Sequence, residues 1–172
     1  MKMDIIRWLK SGFIRLRRMP RTRGFGVQSP SAYRFLRDVV SSKGRYAVAD
    51  MPTGTNEASE RNRLRLFQFY ARVANFTQAK HWFVSEKLAS DILRVNVCAG
   101  CRAAVVSPVL DDSGVYVVDI TEAHTIEEIL NQASASSILM IEGIHRSAIA
   151  RENWQQIMAD KRIGVCFDLY EA

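Results

Sequence analysis

The chain has 172 residues, 48% hydrophobic and 24% charged, with a net charge of +6. That is about one domain of ordinary size (~150 residues), rich enough in apolar side chains to fold around a core without disulfides or a structural metal, which excludes a disordered or disulfide-framed chain. Three cysteines with no secretory leader ahead of them predict a reducing, cytoplasmic setting. No apolar run approaches the ~20 residues that cross a bilayer, so no transmembrane segment is expected. The charge is polarised: residues 1–80 carry 17 Lys/Arg against 5 Asp/Glu, and residues 81–172 carry 7 against 13. Such a split suits a basic arm for nucleic acid or acidic membrane, and equally a basic segment that folds back on its own acidic domain.

Ile5, Leu9, Phe13 and Leu16 form a helical stripe, with Arg7, Lys10, Arg15, Arg17 and Arg18 around it. Gly12 weakens this amphipathic basic helix and Pro20 ends it. After the loop Arg21–Gln28, Ser29 followed by Pro30 reads as an N-cap and first helical position, and predicts a helix through about Val40. Residues 41–56 form a connector rich in Ser, Gly and Pro. A helix over Glu57–Phe76 follows, with Leu64, Phe67, Ala71 and Ala74 on one face. Two parts are therefore expected, a basic helical extension over 1–56 and an α/β domain over 57–172.

From His81 the texture changes to short β-branched runs separated by helical patterns, as in a parallel sheet with helical crossovers. The predicted strands are Trp82–Ser85, Ala103–Val106, Val115–Ile120, Ile138–Ile141 and Ile163–Leu169. Between them, Thr125 and Glu128 form a capping-box pattern ahead of Ile126, Ile129 and Leu130. Ser147 opens a helix holding Ile149, Trp154, Ile157 and Met158.

Candidate chemistry is sparse. Cys98-Ala-Gly-Cys101 is a single CxxC, whereas a zinc site needs about four ligands, so no metal is predicted and the cysteines read as small buried or loop residues. No glycine stands between Gly54 and Gly100, so the turn after the first strand lacks the residues that let backbone approach a nucleotide. Acids and histidines do stand at strand ends, Asp119 and His124 after one run and Glu142 and His145 after the next, where open α/β sheets bind ligands. Residues 1–45 hold 12 Lys/Arg against 2 Asp/Glu, interleaved with Trp8, Phe13, Phe25, Tyr33 and Phe35. Arg15, Arg17, Arg18, Arg21 and Arg23 are its candidate anion-binding residues.

The stretch Arg23-Gly-Phe-Gly-Val-Gln-Ser-Pro-Ser-Ala-Tyr-Arg-Phe35 resembles the N-terminal signature His-Gly-Phe-Gly-Val-His-Ser-Pro of bacterial class I S-adenosylmethionine-dependent methyltransferase-like proteins. Met140-Ile-Glu-Gly-Ile-His-Arg-Ser147 resembles that family's two acids followed by Ile-His-Trp-Ser, and Trp154 and Val165-Cys-Phe-Asp-Leu-Tyr170 continue the match. The resemblance implies a Rossmann-like, mostly parallel sheet, shortened, behind a helical extension. It implies roles in cofactor binding for Asp119 and His124, with Glu86 added if an atypical loop holds the cofactor, and makes Glu142 and His145 the catalytic candidates. The chain departs from the pattern where the glycine-rich loop is missing, where Gly143 replaces an acid, where Arg146 replaces tryptophan, and in Ile92–Leu110, which looks too short for the usual ribose-binding strand and helix.

The expected function is a divergent methyltransferase-like protein with lost or weakened S-adenosylmethionine binding, acting as a scaffold. The alternatives are an active methyltransferase with an atypical cofactor loop around Glu86, and a binder of RNA or acidic lipid through the basic arm. Family members add a final antiparallel strand after the Asp-Leu-Tyr run, so the expectation is either a truncated chain or a homodimer through the terminal edge strand.

Overall fold

The computed structural model describes residues 29–42 and 57–169, which fall in two separate compact units. In the first, α1 spans Pro30–Phe35 and runs on through a wider π-type turn, Leu36–Val40. Ser29 caps it as expected, its hydroxyl accepting from the Ala32 amide, and Pro30 takes the first position, where a missing amide hydrogen costs nothing. Ala32, Leu36 and Val39 are buried on one stripe.

The second unit is an α/β domain. Its elements are α2 (Glu57–Thr77), β1 (His81–Val84), α3 (Asp91–Gly100), β2 (Val105–Ser107), β3 (Val115–Asp119), α4 (Ala123–Gln132), β4 (Ile138–Glu142) and α5 (Ala148–Met158). The four strands form an all-parallel sheet in the order β2-β1-β3-β4. Every residue of β3 is buried, as a central strand covered on both faces requires. On one face Phe83, Tyr116 and Val118 pack with Ile126 and Ile129 of α4. The buried Tyr116 hydroxyl accepts from the Ser113 amide and donates to the Asp111 carbonyl, and burial pushes its pKa up. A second cluster joins Ile120, Ile144, Ala150 and Trp154. α2 and α3 lie against each other, with Phe67, Tyr70, Ala71, Val73 and Ala74 buried. Among the described residues no helix is long and apolar enough to cross a membrane.

Several expectations change. Of the four residues placed on one face of α2, Phe67, Ala71 and Ala74 are buried together with Tyr70 and Val73, whereas Leu64 is 41% exposed. The second strand starts two residues later than predicted and ends one later, because Ala104 instead turns back through a bond from its amide to the Cys101 carbonyl. The region of Ile92–Leu110 holds the helix α3 from its second residue on and the three-residue strand β2. The Thr125 capping box does not form: α4 starts earlier, with Glu122 at its N-cap, leaving Thr125 inside the helix. Ser147 does cap α5, accepting from the Ala150 amide at 3.0 Å.

Ile163–Leu169 is not a strand and pairs with none of the four. β-branched composition marks a segment that suits a pleated surface, but a strand also needs a free ladder within reach. This segment leaves a tight turn, in which the Ile163 amide bonds the Asp160 carbonyl, and its Val165 and Leu169 are exposed. A homodimer through a terminal edge strand therefore loses the strand on which it was based.

Candidate functional site

In the order β2-β1-β3-β4 the chain leaves β1 toward one edge of the sheet and leaves β3 toward the other. Connections that diverge from neighbouring strands open a crevice beyond their carboxyl ends, the usual ligand position in open α/β sheets. Here the crevice lies between the turn Ser85–Ser90 and the turn Asp119–Glu122.

At its base is Asp119, the last residue of β3 and fully buried. A buried carboxylate is costly unless its lone pairs are filled by donors. Oδ1 accepts from the Thr121 amide at 3.0 Å, the Thr121 hydroxyl at 2.6 Å and Lys87 Nζ at 3.0 Å, and Oδ2 accepts from an Arg146 guanidinium nitrogen at 2.8 Å. Lys87 also donates to the Thr121 hydroxyl at 2.6 Å, so its side chain spans the crevice from the β1 turn to the β3 end. Burial alone would push the Asp119 pKa up. The bonds from Thr121, Lys87 and Arg146 outweigh burial and hold it well below the usual carboxylate range. A carboxylate so low and so fully engaged is a poor general base at neutral pH and serves as an electrostatic anchor.

Arg146 reaches Asp119 because of Gly143. Gly143 has φ +80°, a backbone conformation that L side chains rarely adopt, and a Cβ there would stand 3.0 Å from the Arg146 guanidinium carbon. The Arg146 amide also donates to the Gly143 carbonyl, closing the turn after β4. The two departures from the family pattern at 143 and 146 are thus one structural change, a glycine that lets an arginine lie across it onto the buried acid. Gly143→Ala is expected to cost about 1–2 kcal/mol through positive-φ strain and displacement of Arg146. In the Arg146→Ala background the same substitution should cost less, a non-additivity readable in urea melts of the double-mutant cycle.

The other expected residues divide. Glu142 ends β4 in register beside Asp119 and accepts a hydrogen bond from the hydroxyl of Tyr70, a buried residue of α2. His145 Nε2 lies 2.9 Å from Asp168 Oδ1, both side chains about a quarter to a third exposed. Glu86 is exposed beside Lys87 and takes no part in this network. His124 stands apart, its side chain 90% exposed on α4 and 3.5 Å from Glu128. Arg15, Arg17, Arg18, Arg21 and Arg23 lie outside the described residues. The cysteines sit at the end of α3 and in the C-terminal segment. Cys101 is buried, Cys98 donates its thiol to the Ala104 carbonyl, and the exposed Cys166 has its pKa raised by burial of its thiol and by Asp168. Among the described residues no group of three or more His, Cys, Asp or Glu could hold a metal ion.

Sequence reasoning missed Lys87, Tyr70 and Asp168 as partners of the strand-end groups. Lys87 was visible as the one cation in a turn without glycine. Tyr70 comes from a distant helix with no motif to link it, while Asp168 lay within the Val165–Tyr170 match that follows the His145 element but was given no role there. Comparison of the chain with family models, curated proteins and solved structures gives no match.

Proposed function

We propose that this chain is a degenerate member of the methyltransferase-like family that its motifs resemble, having lost S-adenosylmethionine binding and working in the cytoplasm as a non-catalytic interaction protein. The observation that carries this reading is the saturation of Asp119. Its oxygens are taken up by Lys87, Thr121 and Arg146, so the strand-end acid that the resemblance assigns to a cofactor is engaged by the chain itself. The β1 turn adds to it. Glu86, Lys87 and Leu88 occupy positions where a nucleotide-type site uses glycine, and Lys87 bridges the gap that such a ligand would enter.

The test is a thermal-shift titration with S-adenosylmethionine and S-adenosylhomocysteine. A ligand at about 100 times its dissociation constant stabilises the native state by ~2.7 kcal/mol, which for a chain of this size raises Tm by roughly 8 °C. No shift is expected. A saturable shift with either compound would replace this reading with the active-enzyme one.

That second reading draws on the pairing of His145 with Asp168, since a carboxylate at 2.9 Å orients an imidazole as a proton-transfer group requires. It predicts transfer of a labelled methyl group that Glu142→Ala abolishes. Transfer undiminished by that change would remove Glu142 from the mechanism.

A further inference from the structure

The crevice at the ends of β1 and β3 holds two cations fixed on one carboxylate, and both cations face outward. The Lys87 side chain is 47% exposed and that of Arg146 58%, while Asp119 beneath them is fully buried. An arginine this exposed ordinarily samples many rotamers. This one is restrained by its turn bond to Gly143, by the bare face of Gly143 under its guanidinium and by Asp119. Lys87 is restrained by Asp119 and Thr121. Contacts within the chain itself order both side chains, and a ligand that uses pre-ordered donors binds without that entropic cost.

Donors remain unused. Arg146 makes one bond to Asp119 through one nitrogen, which leaves most of its five N–H groups for a partner. Asp119, Glu122, Glu142 and Glu86 surround the two cations, so attraction for an anion rests on the fixed, outward-facing donors and not on net charge. A second observation comes from the same turn: Ser85, the residue immediately after β1 and two before Lys87, is 97% buried, and its hydroxyl has no hydrogen-bond partner. An orphaned buried hydroxyl is uncommon in a folded chain and marks a place where a polar partner belongs. Nearby, α4 begins without a side-chain cap, unlike α1, α3 and α5, which Ser29, Ser90 and Ser147 cap. The positive end of its dipole is therefore available to negative charge.

The geometry points to a phosphate-binding crevice, with Arg146 and Lys87 as the charged donors and Asp119 as the residue that positions them. A phosphate, free or carried as a monoester on a small molecule, matches the planar fork of an arginine and the point charge of a lysine. The surrounding carboxylates limit affinity in a definite way. Glu122 is turned onto the Asp119 amide and Glu142 onto Tyr70, whereas Glu86 is exposed, unbonded and next to Lys87, so it opposes an anion there. The proposal goes beyond the loss of S-adenosylmethionine binding and is tested with a different ligand. An S-adenosylhomocysteine shift would overturn the earlier reading, and only the phosphate series bears on this one.

The experiment is a titration of the full chain with inorganic phosphate and, separately, with adenosine monophosphate, at constant ionic strength against chloride, read by calorimetry and thermal shift. Saturable binding in the micromolar to low-millimolar range is expected, and it should be at least tenfold weaker in Arg146→Gln and in Lys87→Gln. Glu86→Gln changes an exposed group with no bond to lose, so it leaves the fold intact and should tighten binding about two- to threefold. Replacing Arg15, Arg17, Arg18, Arg21 and Arg23 together by Gln should leave the affinity unchanged. Equal affinity for the two probes identifies phosphate itself as the ligand, and tighter binding of the nucleotide identifies a carried phosphate. Three results would each overturn the proposal: no binding beyond the chloride control, an affinity that Glu86→Gln does not raise, or binding that disappears with the five arginines.

Discussion

Alanine at position 100 should destabilise the α/β domain by about 2–3 kcal/mol, although alanine is the better helix former. Gly100 is the last residue of α3, and a Cβ there would meet the Ala71 carbonyl oxygen, with the Ala74 Cβ at 2.8 Å and the Asn75 amide nitrogen at 2.9 Å. Two of those three atoms are backbone of α2, buried there through Ala71 and Ala74, and a helix backbone cannot move aside as a flexible side chain can. Propensity pulls the other way, by up to ~1 kcal/mol in favour of alanine. The clash wins because overpacking a tight contact costs ~1–3 kcal/mol or more, and here both helices must separate to relieve it. Urea denaturation decides it: a fall in midpoint at unchanged m-value is expected, and a neutral or stabilised Gly100→Ala would mean that α2 and α3 are not so close. The result also bears on Cys98-Ala-Gly-Cys101. Its glycine is a packing element, so the motif is explained by the close approach of two helices without thiol chemistry.

The same contrast between local pattern and spatial partner runs through the whole chain. Val115–Ile120 was legible as a strand because a central strand buried on both faces must be continuously apolar, and β3 occupies that place. Ser29 and Ser147 were legible as caps because an N-cap is a local bond, made within three residues. Ile163–Leu169 misled for the converse reason: its composition resembles a strand, but its backbone finds no ladder. At the site, the strand-end positions of Asp119, Glu142 and His145 followed from the alternation of runs and turns. What holds them did not, because Lys87 lies 32 positions from Asp119, Tyr70 lies 72 from Glu142 and Asp168 lies 23 from His145. Gly143 and Arg146 stood out in the sequence as separate departures, and only the positive φ of the glycine shows that they act together.

The buried anchor itself should be the most pH-sensitive element of the fold. Asp119→Asn is expected to cost about 2–4 kcal/mol at pH 7. It removes a fully buried charge on which two cations converge, and charge-assisted bonds contribute ~1.5–3 kcal/mol each before screening. Lys87 and Arg146 are roughly half exposed and rehydrate when freed, which keeps the loss below the sum of their bonds. The sign of the pH dependence follows from the direction of the shift. Burial raises the Asp119 pKa, the bonds from Thr121, Lys87 and Arg146 lower it further than burial raises it, and the folded value falls below the unfolded one of ~3.9. A folded chain that binds the proton less readily than the unfolded chain gains stability above the unfolded pKa and loses it as pH falls toward the folded one. The difference between wild type and Asp119→Asn should therefore be constant from about pH 7 to 5 and shrink steadily from pH 4 to 2. Taking the difference matters because Asp160, held down to about 2 by Arg162, titrates in the same window and steepens both curves equally. Chemical denaturation at half-unit pH steps measures both curves. A gap that stays constant down to pH 2 would mean that the folded and unfolded chains bind this proton equally, so that neither the Thr121 bonds nor the two cations favour the charged carboxylate.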